Sequence, residues 1–244
     1  MVGDTGDADD TGDTDNTSAA QALRALEKSL RACSGCGLCR GRTQVVFGVG
    51  SPRAEVMFVG EGPGFHEDRL GEPFVGQAGK LLTELLSLIG LSRGDVYIAN
   101  VVKCRPPDNR DPAPDEIEAC SPHLMKQIGI IRPRVVCTLG RFATKLLGDT
   151  DLSMTAIHGK AKTKVLGDVD TIIFPVFHPA AALYTPANRK LLEEDFTKLR
   201  QLLHRDLREV GRAAVEDAGV QPLRDDGRDR PRASVNRVEQ LPLW

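Results

Sequence analysis

Three cysteines, Cys33, Cys36 and Cys39, crowd into seven positions near the start of the chain. Six cysteines among 244 residues are too few and too unevenly placed for the disulfide framework of a small secreted protein. A two-residue gap between cysteines lets one tight turn offer two sulfur atoms to the same metal site. The spacing therefore predicts metal binding.

Polar residues suited to acid–base chemistry or hydrogen bonding stand at or near the ends of apolar runs. Glu61 comes shortly after the first run, Asn100 lies near the end of the second, and His178 follows the fourth. Buried parallel strands read as short apolar runs. Ligands of such sheets bind beyond the carboxyl ends of the strands. We therefore expect these side chains to lie at one edge of a parallel sheet.

The elements that must position these residues alternate along the chain. Four β-type runs cover residues 56–59, 96–102, 135–139 and 172–177. Helical patterns cover residues 79–89, 114–130, 141–147 and 187–207, and another begins at Ala19, with Leu23, Leu26 and Leu30 at helical spacing. This alternation predicts an α/β fold with three layers and a mostly parallel sheet.

Composition divides the chain into a core and two tails. Residues 1–23 hold six Asp and no Lys or Arg, and the segment 1–18 has too few apolar residues to fold, so we expect it to be disordered. We place the functional domain at residues 19–207, and a helical extension and flexible linker at 208–239. No apolar run approaches the roughly 18 residues of a membrane helix, and the N-terminus is acidic, so we expect a soluble cytoplasmic protein.

The residues after the strands carry specific motifs. GEGPGFHEDRLGEPFVGQAGKLL follows the first strand, NVVKCRPP the second and FHPAAALYTP the fourth. Together with CSGC and Cys120, this pattern resembles the family 4 uracil-DNA glycosylases, the iron–sulfur branch of their superfamily. The resemblance covers about residues 20–204. It implies an αβα sandwich around a four-stranded parallel sheet. It also implies an enzyme that removes uracil from DNA and so starts base excision repair. We expect this enzyme to be monomeric, prokaryotic and associated with the nucleoid.

The resemblance also implies a 4Fe–4S cluster. Its ligands would be Cys33, Cys36, Cys104 and Cys120. Structural zinc is the alternative, because two separated pairs of cysteines suit it equally well. Cys39 stands where the family has a residue that is not a ligand, so we leave it out of the set. Cys137 lies within a predicted strand, and we expect it to be a buried core thiol.

By the same resemblance, Glu61 and His178 are the expected catalytic residues. Glu61 is the carboxylate that would support an oxocarbenium-like sugar or position a water molecule. His178 would donate a hydrogen bond to uracil O2 while negative charge develops on the departing base, for which a neutral imidazole is sufficient. The alternative for His178 is a structural histidine at a strand end.

Expected uracil-binding residues lie in the same motifs. Gly62 and its neighbouring glycines allow close approach of the backbone to the nucleotide. Phe74 matches the stacking aromatic, and Asn100 offers an amide pattern that uracil satisfies and cytosine inverts. Glu67 falls where the family crowds the C5 methyl of thymine. Next to it, Phe65 and His66 replace residues that are commonly acidic in the family.

DNA contacts are expected after His178. Leu183 matches the residue that wedges into the duplex and fills the gap left by the flipped base. Tyr184 stands where Arg is frequent in the family, and would stack on a base. Arg189 is a candidate phosphate contact, with solvated surface charge as the alternative.

Two other functions compete with uracil excision. A related branch of the superfamily traps uracil covalently through a histidine in a basic insertion after the second strand, but the corresponding segment here, KCRPPDNRDPAPDE, contains no histidine. The other is a non-catalytic iron–sulfur or zinc module that associates with DNA.

The last five residues, QLPLW, form a further motif. Gln240, Leu241, Leu243 and Trp244 resemble the pentapeptide that binds the bacterial DNA sliding clamp. Large apolar residues are unexpected on a polar tail. We therefore expect the sliding clamp to be a partner; the alternative is that Trp244 folds back onto the enzyme.

Overall fold

The computed structural model describes residues 11–183 and 185–204, with side chains from residue 17 onward. The strands are β1 (Val49–Gly50), β2 (Val56–Gly60), β3 (Tyr97–Asn100), β4 (Val135–Leu139), β5 (Lys162–Leu166) and β6 (Val169–Val176). The helices are α1 (Thr11–Leu30), α2 (Phe65–Leu70), α3 (Gln77–Leu88), α4 (Pro114–Ile131), α5 (Arg141–Gly148), α6 (Met154–Ile157) and α7 (Pro186–Leu203). Short 3-10 turns occupy Gly37–Arg40, Pro107–Asn109 and Pro179–Ala182.

The strands form one mixed sheet in the order β1-β3-β2-β4-β6-β5. Its four central strands, β3, β2, β4 and β6, are parallel, and they correspond to the four predicted runs. The prediction of an α/β fold with a mostly parallel central sheet is therefore confirmed. The antiparallel edge strands β1 and β5 were not predicted.

Both edge strands lack the signal of a buried strand. β1 is only two residues long. β5 carries Lys162 and Lys164 and is exposed over most of its length. Charged, short edge strands protect a sheet against pairing with other chains. The same features remove the apolar pattern by which a strand is recognised in a sequence.

The central strands are buried on both faces because successive side chains point to opposite sides of the sheet. In β2, Met57 and Val59 join a core formed with α1, α4 and α5. Val56 and Phe58 join a second core formed with α3 and α7. The two cores lie on opposite faces of the sheet, so the sheet and the helices on either side of it form three layers.

Helix α1 begins at Thr11, so the prediction that residues 1–18 are disordered is wrong for 11–18. Leu23 and Leu30 anchor the C-terminal part of α1 in the core. Once a helix is nucleated, each added residue gains a backbone hydrogen bond, and acidic residues are compatible with a helix N-terminus.

Residues 1–10, the expected helical extension and linker at 208–239 and the motif at 240–244 lie outside the described residues. No described helix is long and apolar enough to cross a bilayer.

Candidate active site

A cleft of about 420 Å³ opens at the carboxyl ends of the parallel strands. It lies where the chain order reverses across β3, β2 and β4, the usual position of a ligand in such a sheet. The six predicted catalytic and uracil-binding residues all line it, namely Glu61, Gly62, Glu67, Phe74, Asn100 and His178. Residues separated by more than a hundred positions in the sequence thus meet around one space.

Asn100 presents an unsatisfied acceptor in this cleft. Its side chain is buried, at 1% exposure, and its Oδ1 has no hydrogen-bond partner among the described residues. Asn100 pairs with Gly60 of β2, where a Cβ atom would lie 2.5 Å from that oxygen and 2.6 Å from the Phe74 ring. A buried polar atom without a partner is costly. Asn100 is therefore suited to bind a ligand that carries an N–H group.

The Phe74 ring is held by a strained loop. Phe74 has a φ of 55°, a left-handed conformation that is uncommon outside glycine. Arg93 donates from Nη2 to the Pro73 carbonyl at 2.8 Å and from Nη1 to the Phe74 carbonyl at 3.2 Å. A Cβ at position 79 would lie 1.8 Å from the Phe74 oxygen, so only glycine fits there. Arg93 and Gly79 thus maintain the ring position.

Glu67 holds the same loop from the other side. Its Oε1 accepts hydrogen bonds from the backbone N–H groups of Val75 and Gly76, both at 2.9 Å. The motif predicted Glu67 as part of the pocket but did not predict these two bonds. Glu67 therefore positions the Phe74 loop in addition to lining the cleft.

The hydrogen bonds of His178 define its tautomer. The Ala180 N–H donates to His178 Nδ1 at 3.2 Å, at the start of a 3-10 turn. Burial lowers the pKa of His178 to about 4, and the nearby Glu67 opposes this shift. The imidazole is therefore neutral at pH 7, and its proton is on Nε2. The structure provides a neutral hydrogen-bond donor here.

The Glu61 carboxylate carries no hydrogen bond from any described residue. Desolvation by burial raises its pKa to about 7, with a further increase from Asp111 and a smaller opposing effect from Arg141. Arg141 is itself bonded to Asp111. A carboxyl group with a pKa near neutral pH can act as a base or as an anion that stabilises a cation.

The segment predicted to contact DNA is partly described. Leu183 ends the 3-10 turn after His178 and is 37% exposed. Tyr184 lies outside the described residues. Arg189 bonds to Glu84 at 2.9 Å and to Glu193 at 3.0 Å. A phosphate contact by Arg189 would replace these exposed ion pairs, which contribute little to stability.

A second, smaller cavity is lined by the four predicted metal ligands, Cys33, Cys36, Cys104 and Cys120. The first two lie in the loop after α1, Cys104 follows β3, and Cys120 is in α4. Arg42 Nη1 donates to Cys104 Sγ, and the Lys103 backbone N–H donates to Cys120 Sγ, both at 3.3 Å. Such donors stabilise negative charge on sulfur.

The two remaining cysteines differ in environment. Cys39, which was left out of the ligand set, also lines this cavity. Cys137 is fully buried in the core of β4, as predicted, and burial raises its pKa. Within the described part of the chain, no group of three or more His, Cys, Asp or Glu side chains is arranged to hold a single metal ion.

Lys103 links the cysteine cavity to the cleft. This fully buried lysine donates to the Asn100 carbonyl at 2.8 Å and to Gln127 Oε1 at 2.6 Å. Gln127 in turn donates to Tyr97 Oη at 3.3 Å. Burial lowers the pKa of Lys103 to about 8. Lys103 thus joins Asn100 of the cleft to Cys120 of the cysteine cavity through hydrogen bonds.

The sequence motifs did not predict a role for Arg93 or Lys103. Arg93 stands in a loop after α3 with no motif around it. Lys103 lies within the motif NVVKC, directly before a predicted ligand, and a charged residue in an otherwise apolar run was the available signal. A lysine in that position needs buried acceptors.

Comparisons with known proteins agree with the motifs. The family profile of the uracil DNA glycosylase superfamily matches residues 47–204. The chain is 53% identical over 176 residues to the type-4 uracil-DNA glycosylase of Sulfurisphaera tokodaii, covering 70% of this chain and 80% of that protein. It is 42% identical over 184 residues to the type-4 protein of Thermotoga maritima, covering 72% and 92%.

A type-5 uracil-DNA glycosylase of Pyrobaculum aerophilum is less similar, at 33% identity over 189 residues, covering 70% of this chain and 75% of that protein. The cleft, the parallel sheet and these similarities lead to one assignment. The chain belongs to the uracil-DNA glycosylase superfamily and, within it, to the type-4 family.

Proposed function

We propose that this protein is a monofunctional uracil-DNA glycosylase, which flips uracil out of DNA and hydrolyses its N-glycosidic bond to leave an abasic site. The observation that carries the proposal is the unpartnered Asn100 Oδ1, buried beside the Phe74 ring in the cleft that also holds Glu61 and His178. An extruded base needs such a pocket, with an aromatic surface and hydrogen-bonding groups for its Watson–Crick edge.

In this proposal, Asn100 and Phe74 recognise the base. The Asn100 Oδ1 accepts a hydrogen bond from uracil N3–H, and its amide N–H donates to O4. Cytosine has an acceptor at N3 and a donor at N4, so it would leave this amide unsatisfied. Phe74 stacks on the base and contributes about 1 to 3 kcal/mol. Gly62 lets the backbone approach the nucleotide, and Glu67 excludes the C5 methyl of thymine.

His178 and Glu61 act on the breaking bond. As the C1′–N1 bond lengthens, its electron pair moves to the base, and His178 Nε2–H donates to O2, where the negative charge accumulates. The sugar becomes an oxocarbenium-like cation. The Glu61 carboxylate stabilises this cation and orients the water molecule that adds to C1′, accepting its proton.

DNA binding is assigned to the segment after His178. Leu183 fills the gap in the duplex, Tyr184 stacks on a base, and Arg189 contacts a phosphate after it exchanges its carboxylate partners. The exposure of Leu183 supports the first of these roles.

The cysteine cavity fits a 4Fe–4S cluster. Four thiols, with Cys39 nearby, surround a cavity, and two N–H groups donate to the sulfurs. The preference for a cluster over a single tetrahedral zinc ion comes from the resemblance to the iron–sulfur family, since four cysteines could hold either group. Bound there, a cluster would crosslink the loop after α1 to the segment after β3 and to α4. Its role would be structural, because glycosidic hydrolysis transfers no electrons.

Cys104→Ala is expected to remove both colour and stability. The purified protein should be brown, with broad absorbance near about 400 nm from thiolate-to-iron charge transfer, and the variant should lose this band and melt at a lower temperature. Absorbance, iron content and thermal unfolding provide the measurement. Cys39→Ala is the matched variant and should keep both properties. A colourless protein with stoichiometric zinc would show that the cluster assignment is wrong.

Excision is tested with a uracil-containing oligonucleotide in excess over the enzyme. We expect free uracil and alkali-labile abasic sites through many turnovers, and none from the same oligonucleotide carrying cytosine. One turnover followed by a stable protein–DNA adduct would instead indicate the covalent trapping branch. Binding without any release of uracil would indicate the non-catalytic module.

We further propose that QLPLW binds the bacterial sliding clamp, which would keep the enzyme near replicating DNA in the nucleoid. The support is the sequence alone, since residues 240–244 lie outside the described residues. Deleting these five residues should abolish binding to the purified clamp in a pull-down or calorimetric assay. Excision from free oligonucleotides should not change. Equal clamp binding by the full-length and truncated proteins would contradict the proposal.

A further inference from the structure

Phe65 is an exposed aromatic side chain at the start of α2. Its 47% exposure makes it the one aromatic among the strongly exposed large apolar side chains in the described part of the chain. It has no role in the base pocket described above. One exposed apolar side chain is ordinary by itself, so the groups around Phe65 decide whether it marks a binding site.

Two guanidinium groups flank the Phe65 ring. The Cζ atom of Arg105 lies 5.2 Å from the ring centroid, and that of Arg69 lies 5.6 Å away. Neither arginine forms an ion pair with any described carboxylate. Asp68 accepts instead from the Thr43 N–H group, and Asp111 pairs with Arg141. Both positive charges therefore remain free of carboxylate contacts.

This aromatic and basic group, which we call the Phe65 platform, borders the cleft. Gly64, directly before Phe65, lines the cleft. Arg105 directly precedes Pro106, another lining residue, and its Nε donates to Asn109 Oδ1 at 2.7 Å. The groove around Leu183 shares no residue with the platform. The platform is therefore a separate surface at the rim.

We propose that the Phe65 platform binds an unpaired nucleotide next to the flipped uracil in the same DNA strand. This inference rests on the proposed function, since the uracil in the cleft places its neighbours at the rim. Aromatic stacking on a base, combined with cationic contacts to the backbone, is how proteins hold single-stranded DNA. Phe65 stacks on the neighbouring base, and Arg69 and Arg105 contact the flanking phosphates.

The test uses a single-stranded oligodeoxynucleotide with one central, non-hydrolysable fluorinated deoxyuridine, and fluorescence anisotropy as the readout. Phe65→Ala should weaken binding by about 5- to 150-fold, the equivalent of losing one stacked base. Phe65→Trp should retain binding. Leu70→Ala is the matched control, because Leu70 is 66% exposed on the same helix and should not matter.

Two further measurements distinguish stacking and phosphate contacts from a general loss of structure. When the nucleotides beside the uracil analogue lack bases, Phe65→Ala and the wild type should bind equally. Arg105→Gln should reduce the slope of log affinity against log salt by about 0.7, as expected for one lost phosphate contact on a single strand.

The outcomes separate this inference from the proposed function. A wild type that releases no uracil contradicts the proposed function itself. A wild type that releases uracil, with Phe65→Ala binding the oligonucleotide as tightly as the wild type, overturns the platform alone. Equal weakening by Leu70→Ala would also overturn it, because the effect would then belong to α2 as a whole.

Discussion

Replacing His178 with Ala should lower the rate of uracil excision by about 100- to 1000-fold, the usual cost of removing one donor that stabilises a developing oxyanion. The reason lies in the hydrogen bond from Ala180, which leaves Nε2–H as the group available to the base. A neutral donor strengthens its bond as charge accumulates on O2, so the loss should appear in the transition state. Single-turnover excision measures it.

Affinity for DNA should be nearly unchanged by this substitution, because the ground state gains little from the same bond. Binding of a non-hydrolysable uracil analogue provides that comparison. His204→Ala is the control, since His204 is exposed at the end of α7 and does not line the cleft. Full activity in the His178→Ala protein would refute the assigned role.

Glu61→Gln should lower excision by about 100-fold and abolish its dependence on pH near neutrality. Burial disfavours the ionised carboxylate, so in the wild type the active, ionised fraction rises as the pH passes through about 7. The wild-type rate should therefore increase from about pH 6 to about pH 8. The variant should show a low and flat profile. Glu194→Gln, on the exposed side of α7, should retain the wild-type curve.

Stability gives an independent readout of the same group. The pKa of Glu61 is higher in the folded than in the unfolded protein, so its contribution to stability is present at low pH and is lost as the pH rises through about 7. Glu61→Gln should therefore raise the melting temperature, relative to wild type, more at about pH 8 than at about pH 5. If the difference in melting temperature between the variant and the wild type is the same at both pH values, the pKa of Glu61 is not raised.

The sequence alone was sufficient to predict the four central strands and the residues that line the cleft. Apolar runs identified the four parallel strands because a strand that is buried on both faces consists almost entirely of apolar residues. Glu61, Asn100 and His178 lie within or close after such runs, and the resemblance of their motifs to a known family implied their roles. The edge strands and the first turns of α1 were missed because their formation depends on neighbours rather than on local apolar pattern.

Tertiary structure alone decided the chemical state of the site. Arg93, remote in sequence from Phe74, holds the loop that carries this ring, and Lys103 joins the Asn100 carbonyl to Gln127. The neutral state of His178 and the raised pKa of Glu61 arise from desolvation by atoms of many segments. A sequence specifies which groups can ionise or donate. Their protonation states and hydrogen-bond partners depend on how much water folding removes from around them. No local sequence pattern specifies this degree of desolvation.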